Sequence, residues 1–173
     1  SLRLEVLTPG NEQAFEVSFA NPLAITQNPN EDRDRILELT DKVERKEGDP
    51  RRHFREMAKL HRGLGDLERA RYLLESLLPG AASGVETNSL LFDLAQLCNR
   101  MGDDEGEIAY YEARIERGKE KAACFNLALA LKRIGRNEEA LKYAEMSLSL
   151  DGSPARRSLV GTILSALGRD DDA

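Results

Sequence analysis

The sequence has 173 residues, 40% apolar and 32% charged, with a formal net charge of −6. These values predict one folded domain of ordinary size, argue against a wholly disordered chain, and disfavour a broad nucleic-acid-binding surface, which would need a basic footprint. No apolar run approaches the ~18 residues of a membrane-spanning helix and no signal peptide opens the chain, so we expect no membrane partner. Two cysteines are too few for a disulfide framework, which favours buried, reduced thiols in a cytoplasmic protein, with one bridge between them as the alternative.

Residues 1–30 are predicted to form a β-hairpin or an extended segment. Apolar and polar side chains alternate over 3–8 and over 14–19, and turn-forming residues lie between them. Leu23–Thr26 adds a third short strand to this prediction. Because a lone hairpin is marginal in water, we expect it to pack on the helices that follow or to be the edge of an upstream domain.

Residues 31–48 are predicted to form an N-terminal capping helix. Ile36, Leu39 and Val43 share one face of this segment at helical spacing. Asp49 follows and is placed to cap the next helix. We therefore expect the first helix to shield the end of whatever is stacked behind it.

Four glycines set the frame of the rest of the chain. Gly65, Gly102, Gly135 and Gly168 are separated by 37, 33 and 33 residues. A period near ~34 residues is typical of stacked helical hairpins. An apolar stripe at i, i+3, i+4 and i+7 precedes each of the first three glycines, and another follows it. Glycine in the left-handed conformation is predicted to close each first helix, and Asn137 is predicted to cap the helix after the third glycine.

The repeats are predicted to fill 49–173, as units of about 51–84, 88–120, 121–153 and 154–173. The last repeat ends where its second helix begins, so the array lacks the polar closing helix that such arrays normally have, and we expect a truncated fragment of a larger protein. Apolar surface exposed at that end predicts self-association through the open repeat.

The third repeat carries a recognisable residue pattern. Cys124, Leu127, Ala128, Leu131 and Ala140 occupy the positions of a large aromatic, Leu, Gly or Ala, a Tyr-like residue and Ala. This pattern resembles the tetratricopeptide repeat, and the resemblance covers about 51–173. It implies an all-α fold, a right-handed superhelix of antiparallel helix pairs (a TPR-like α-solenoid), preceded here by the short hairpin.

Several positions depart from that pattern. Leu91, Cys124 and Ala144 replace aromatic residues, Glu107 stands where Ala is expected, and Gly152 replaces Pro. Repeat 88–120 therefore fits the pattern least well.

The sequence contains no motif that carries catalysis. It lacks a Gly-rich phosphate loop, a nucleophile motif and Cys/His metal spacing. His53 and His61 are eight residues apart, whereas a helix brings ligand pairs together at three or four, so both are predicted to pack or to lie at the surface. Acidic runs at 103–105 and 170–172 follow glycines at helix starts, where the helix dipole explains them. We expect no catalytic residue, no metal and no cofactor.

The first helix of each repeat is the candidate ligand groove, because in proteins with this resemblance that helix lines the concave face. Residues 51–62 hold five basic side chains against Glu56, a local net charge of +4, and four of the five fall within about 80° of one another on a helical wheel. The predicted groove residues are Arg52, Arg55, Lys59, Arg62, Phe92, Gln96, Asn99, Phe125, Asn126, Leu129, Lys132 and Arg133.

A groove that is basic at one end and carries two Phe further along predicts an acidic peptide or protein partner with an apolar anchor. The alternative is that the basic residues form a solvated face with local partners such as Glu56 and that the Phe side chains pack between repeats. Some tetratricopeptide-repeat proteins grip a C-terminal carboxylate with a fixed Lys/Asn/Arg set. Asp93 and Ala122 stand where that set needs Asn and Lys, so this clamp is not predicted.

The leading functional hypothesis is a non-catalytic protein–protein interaction or scaffold module. The alternative is the C-terminal accessory region of an enzyme, because 3–78 resembles the corresponding region of repeat-bearing bacterial family-2-type glycosyltransferases in its strand-rich edge and the helix led by Arg33–Leu37. Leu4 departs from that resemblance, since those proteins often have His there, and the catalytic motifs would lie upstream. A helical-repeat RNA binder is disfavoured by the acidic charge and the lack of a base-reading code.

Overall fold

The structure is a computed structural model that describes residues 28–118 and 120–168 and the backbone of 2–4 and 15–17. The described residues form two compact units, one within Ser1–Asp66 and one within Leu67–Ala173. Their helices are α1 (Pro29–Glu44), α2 (Pro50–Leu64), α3 (Leu67–Leu77), α4 (Gly84–Met101), α5 (Asp104–Arg117), α6 (Lys121–Arg133), α7 (Asn137–Leu150) and α8 (Pro154–Ala166), with a 3₁₀ turn at Leu78–Gly80. The predicted all-α class is confirmed.

In the first compact unit, two short strands pair through their backbones. Strand β1 (Leu2–Leu4) runs antiparallel to β2 (Phe15–Val17), with Leu2 opposite Val17 and Leu4 opposite Phe15. Strand β2 lies within the second segment whose alternation predicts a hairpin, and β1 overlaps the first. The predicted turn between them and the third strand at Leu23–Thr26 lie outside the described residues.

Helices α1 and α2 pack together in the first compact unit. Leu39 of α1 is fully buried, and Met57 and Ala58 of α2 are buried as well. The predicted cap of α2 is confirmed, because the Asp49 side chain accepts a hydrogen bond from the backbone N–H of Arg51 at 3.0 Å. Pro50 occupies the first turn, where its missing N–H costs no helical hydrogen bond.

The second compact unit is a succession of helices from α3 to α8, each packed against the next. Its core contains Leu127, Leu131 and Ile163, all with no exposed surface. Ala95 and Ala128 are also fully buried, at the positions where the repeat pattern has a small residue. Side chains this small let neighbouring helices approach closely.

The predicted left-handed glycine turns are confirmed. Gly102 and Gly135 have φ of +73° and +81°, and Gly65 and Gly168 lie in the same region. A Cβ at Gly135 would meet no atom within 4 Å, so the backbone conformation rather than lack of space requires glycine there.

The predicted cap at Asn137 is wrong. The N-cap residue of α7 is Arg136, which makes no side-chain capping bond, and Asn137 is already inside the helix. The chain leaves the glycine turn one residue earlier than a cap at Asn137 requires. Arg136 instead donates two hydrogen bonds to Glu139, each 2.6 Å long.

Both cysteines are buried and neither forms a disulfide, so the alternative of a bridge between Cys98 and Cys124 is wrong. Burial raises the pKa of the Cys98 thiol to about 11. A thiol with that pKa carries almost no thiolate near neutral pH, and Cys98 therefore behaves as a small apolar core residue.

Candidate functional site

The predicted groove residues belong to two different compact units. Arg52, Arg55, Lys59 and Arg62 lie on α2 in the first, and the other eight lie on α4 and α6 in the second. We call the second set the first-helix face: Phe92, Gln96, Asn99, Phe125, Asn126, Leu129, Lys132 and Arg133. The basic surface of α2 and the first-helix face are therefore two surfaces, each with its own chemistry.

On α2, Arg52 and Lys59 are exposed, whereas Arg55 and Arg62 are half-buried. Glu56, which the local-partner alternative paired with these basic residues, accepts a hydrogen bond from Arg35 Nε of α1 at 2.8 Å. This bond is the main cause that holds the pKa of Glu56 below its usual range. The carboxylate thus joins α1 to α2, and the charge of Arg52 also contributes to lowering its pKa.

The two histidines of α2 contact polar groups of nearby residues in the first compact unit. His53 Nε2 lies 2.8 Å from the backbone oxygen of Glu47. His61 is buried, with Nδ1 3.3 Å from Asp66 Oδ2. Within the described ranges, 28–118 and 120–168, no group of His, Cys, Asp and Glu side chains could hold a metal ion.

On the first-helix face, Gln96 and Asn126 both turn to the hydroxyl of Tyr111. Gln96 Nε2 donates to Tyr111 Oη at 2.6 Å, and Asn126 hydrogen-bonds the same side chain. Tyr111 has no exposed surface, and burial raises the pKa of its hydroxyl. Because the three side chains come from α4, α5 and α6, this contact fixes the spacing of the helices that form the face.

Asn99 and Arg133 share a buried carboxylate. Asn99 Nδ2 donates to Glu107 Oε2 at 3.0 Å, and Arg133 Nη2 donates to the same oxygen at 2.6 Å. Arg133 Nε also donates to Asp104 Oδ1 at 3.1 Å. The hydrogen bond to Glu107 is the main cause that raises the pKa of Arg133. Glu107, which departs from the repeat pattern, therefore forms an ion pair with Arg133 and accepts a hydrogen bond from the amide of Asn99.

A guanidinium group stacks on Phe92. The Arg114 Cζ lies 5.1 Å from the centre of the Phe92 ring, within cation–π range. Arg114 Nη2 contacts Glu120 Oε2 at 2.6 Å, and only 13% of the Arg114 side chain is exposed. Phe92 is thereby held between the helical core and a buried positive charge.

A second guanidinium stacks on Phe125. The Arg156 Cζ lies 5.4 Å from the centre of that ring. Arg156 donates from Nη1 to Asp151 Oδ2 and to Ser153 Oγ, both at 2.8 Å, and from Nε to Ser147 Oγ at 2.7 Å. Its side chain is 14% exposed. Arg156 Nε and Nη1 are therefore occupied by partners within the protein.

The two stacks occupy equivalent places but are built differently. Phe92 and Phe125 are 33 residues apart, and so are Arg114 and Ser147. Where the third repeat has Ser147 in place of an arginine, Arg156 of α8 reaches the phenylalanine and hydrogen-bonds that serine. Sequence reasoning missed both stacks, because their arginines do not share a repeat position. The recurrence of Phe at one position was the available signal.

Three predicted residues on α6 form a stripe at helical spacing. Leu129 is 41% exposed, which makes it the most exposed apolar side chain of the first-helix face. Phe125 and Lys132 are half-buried on either side of it in sequence. Asn126 and Arg133, which adjoin this stripe on α6, hydrogen-bond within the protein, and Arg156 stacks on Phe125.

Part of the chain is similar in sequence to a known repeat family. A family model of the tetratricopeptide repeat matches residues 122–154. Residues 122–154 therefore form a tetratricopeptide repeat. The match contains α6, α7 and the glycine turn between them, which are the elements of the Leu129 stripe and its support.

Several solved structures are similar over most of the chain. MamA AMB-1 is 17% identical, with a TM-score of 0.66 over 83% of this chain and 77% of that one. BtubC from P. vanneervenii is 16% identical, with a TM-score of 0.63 over 82% and 68%. The putative kinesin light chain of Podospora anserina, with nearly identical TPR-like repeats, is 13% identical, with a TM-score of 0.61 over 85% and 92%.

At these identities the likeness shows the fold, and the predicted TPR-like α-solenoid class is confirmed. None of the curated proteins matches the chain in sequence. The resemblance of 3–78 to glycosyltransferases stays a prediction. No helix in the described part of the chain is long and apolar enough to cross a membrane.

Proposed function

We propose that the chain is a non-catalytic scaffold that binds a protein or peptide partner, and that the Leu129 stripe of α6 is its apolar contact. The observation that carries the proposal is the combination of an exposed Leu129 with neighbours that are already hydrogen-bonded or stacked internally. A surface held in this way loses little conformational freedom on binding, which favours affinity.

The basic surface of α2 supports an acidic partner. Residues 51–62 carry a local net charge of +4 in a chain whose net charge is −6. Arg52 and Lys59 are exposed there, and Glu56 is occupied by Arg35. Such a patch steers an acidic segment toward the protein and makes its association depend on salt.

The test begins with a random-peptide phage library selected on the purified chain. Selected peptides should combine Asp or Glu with at least one large apolar residue. Their affinity, measured by fluorescence polarisation, should fall about tenfold or more in Leu129→Asp, because a buried apolar anchor commonly contributes ~1–3 kcal/mol.

The charge reversals Arg52→Glu with Lys59→Glu should weaken those selected peptides that bind α2 through Asp or Glu, and they should remove most of the salt dependence of that binding. The matched control is Arg69→Glu with Arg117→Glu, which makes the same charge change on α3 and α5. Peptides that bind Leu129→Asp as well as the unchanged chain would sink the assignment of the stripe, provided that circular dichroism shows equal helicity.

A further inference from the structure

A cleft of about 550 Å³ lies between α5 and α7, on residues that take no part in the first-helix face. It is lined by Glu112, Ile115, Glu116, Gly118 and Tyr143. Both helices are the second helices of their repeats, so the cleft belongs to a different surface from the one that carries the proposed function. Nothing in the comparisons concerns this cleft.

The electrostatics of the cleft favour a positive charge. Glu112 and Glu116 are four residues apart on α5, so their carboxylates lie on the same side of that helix. Gly118 is the C-cap of α5, where the backbone carbonyls of the last turn carry partial negative charge. Among the described residues that line the cleft, none is basic.

Two of the described cations near the cleft are already engaged. Arg136 forms a bidentate pair with Glu139, and Lys142 lies over the ring of Tyr143 with its Nζ 5.5 Å from the ring centre. Burial, followed by the charges of Glu112 and Glu139, raises the pKa of the Tyr143 hydroxyl. The Lys142 contact also shows that this ring accepts an ammonium group as a neighbour.

The remaining lining is apolar. Ile115 and Tyr143 are half-buried and pack against the core of the second compact unit. Lysine and arginine side chains combine an apolar stem with a terminal cation, and such stems pack along apolar surface while the charged end reaches polar groups. A metal ion would find only two carboxylates here, an acidic side chain would be repelled by them, and a neutral side chain would gain at most a hydrogen bond.

We infer that this cleft is a receptor for one lysine or arginine side chain of a protein partner. The stem lies along Ile115 and Tyr143, and the cation lies between the carboxylates of Glu112 and Glu116 and the carboxyl end of α5. A scaffold with this cleft contacts basic segments on its second helices, independently of any acidic segment bound elsewhere.

The probe is Nα-acetyl-L-lysine amide. Its binding is monitored in ¹H–¹⁵N correlation spectra of the full chain. We expect saturable shifts confined to the amides around Ile115, Glu116 and Gly118. The matched control is Nα-acetyl-L-norleucine amide, which has the stem without the charge. It should leave the signals of those amides unshifted. Added salt should weaken the lysine effect, since the carboxylates are accessible to solvent.

The double variant Glu112→Gln with Glu116→Gln should lower the affinity for the lysine amide about threefold or more, because each exposed ion pair contributes up to ~1 kcal/mol. Glu145→Gln makes a carboxylate-to-amide change on an exposed residue of α7 outside the cleft, and it should bind as the unchanged chain does. Equal shifts with norleucine amide, shifts that never saturate, or full affinity in the double variant would overturn the inference. Leu129→Asp should leave this titration unchanged, which separates its outcome from that of the proposed function.

Discussion

Arg133 of α6 donates from Nη2 to Glu107 Oε2 of α5 at 2.6 Å, and the Glu107 side chain is only 5% exposed. The same oxygen accepts from Asn99 of α4 at 3.0 Å. A carboxylate buried in this way is tolerated because its partners compensate for the lost hydration. One departure from the repeat pattern thus links three successive helices.

Arg133→Ala is expected to destabilise the second compact unit by about 1–3 kcal/mol, because it leaves the Glu107 charge buried with only Asn99 as a partner. The expected loss is smaller than for a fully buried ion pair, since 44% of the Arg133 side chain is exposed. In a Glu107→Ala background the same substitution should cost less than half as much. Urea unfolding of the single and double variants measures this coupling, and additive effects would show that the pair is not an energetic unit.

Gly106→Ala is expected to destabilise the chain, although Ala is ordinarily favoured over Gly inside a helix by ~1 kcal/mol. A Cβ at this position would lie 2.7 Å from Asp103 Cγ and 2.9 Å from Cys98 Sγ. The Asp103 side chain accepts the capping bond from the Gly106 N–H at 2.9 Å, so displacing it also removes the cap of α5.

The net loss for Gly106→Ala should be about 1–2 kcal/mol by urea unfolding. Gly84→Ala is the matched control, since a Cβ there would meet only Arg117 Nη2 at 3.7 Å, an ordinary contact. A Gly106 variant as stable as the Gly84 variant would contradict the expected clash.

The charge of Asp103 is expected to make the free energy of unfolding depend on pH in the acidic range. The backbone bond from Gly106, followed by the hydrogen bond from Arg71, lowers the pKa of Asp103 below its usual value. A lowered folded-state pKa contributes stability that is complete above the unfolded value of about 3.9 and is lost as the pH falls through the folded value.

Asp103→Asn keeps the capping oxygen but removes the charge. The stability difference between the unchanged chain and this variant should therefore be constant above about pH 5 and should shrink as the pH falls below about 4. Urea midpoints measured across this range provide the test. A difference that persists unchanged into strong acid would mean that the charge of Asp103 contributes nothing.

The repeat frame could be predicted from sequence because it depends on local features. Gly102 and Gly135 mark positions where only glycine readily adopts a positive φ, and helical spacing sorts apolar from polar faces. The partners of the polar residues could not be predicted. Periodicity places Gln96 on a face, but the hydroxyl of Tyr111 that it contacts comes from another helix. The ligand roles of Gln96 and Asn126 therefore stay predictions, whereas both side chains hydrogen-bond Tyr111.

Arg156→Ala is expected to cost about 1–3 kcal/mol of stability, since it removes the stack on Phe125 together with the hydrogen bonds to Ser147 and Asp151. Arg156→Lys should recover only part of this loss, because an ammonium group cannot stack as a plane and bond several acceptors at once. The adjacent Arg157→Ala is the matched control, because Arg157 is exposed and should change stability by no more than about 0.5 kcal/mol. Urea unfolding ranks the three variants. Full rescue by lysine would show that charge alone, without the planar stack, holds Phe125 in place.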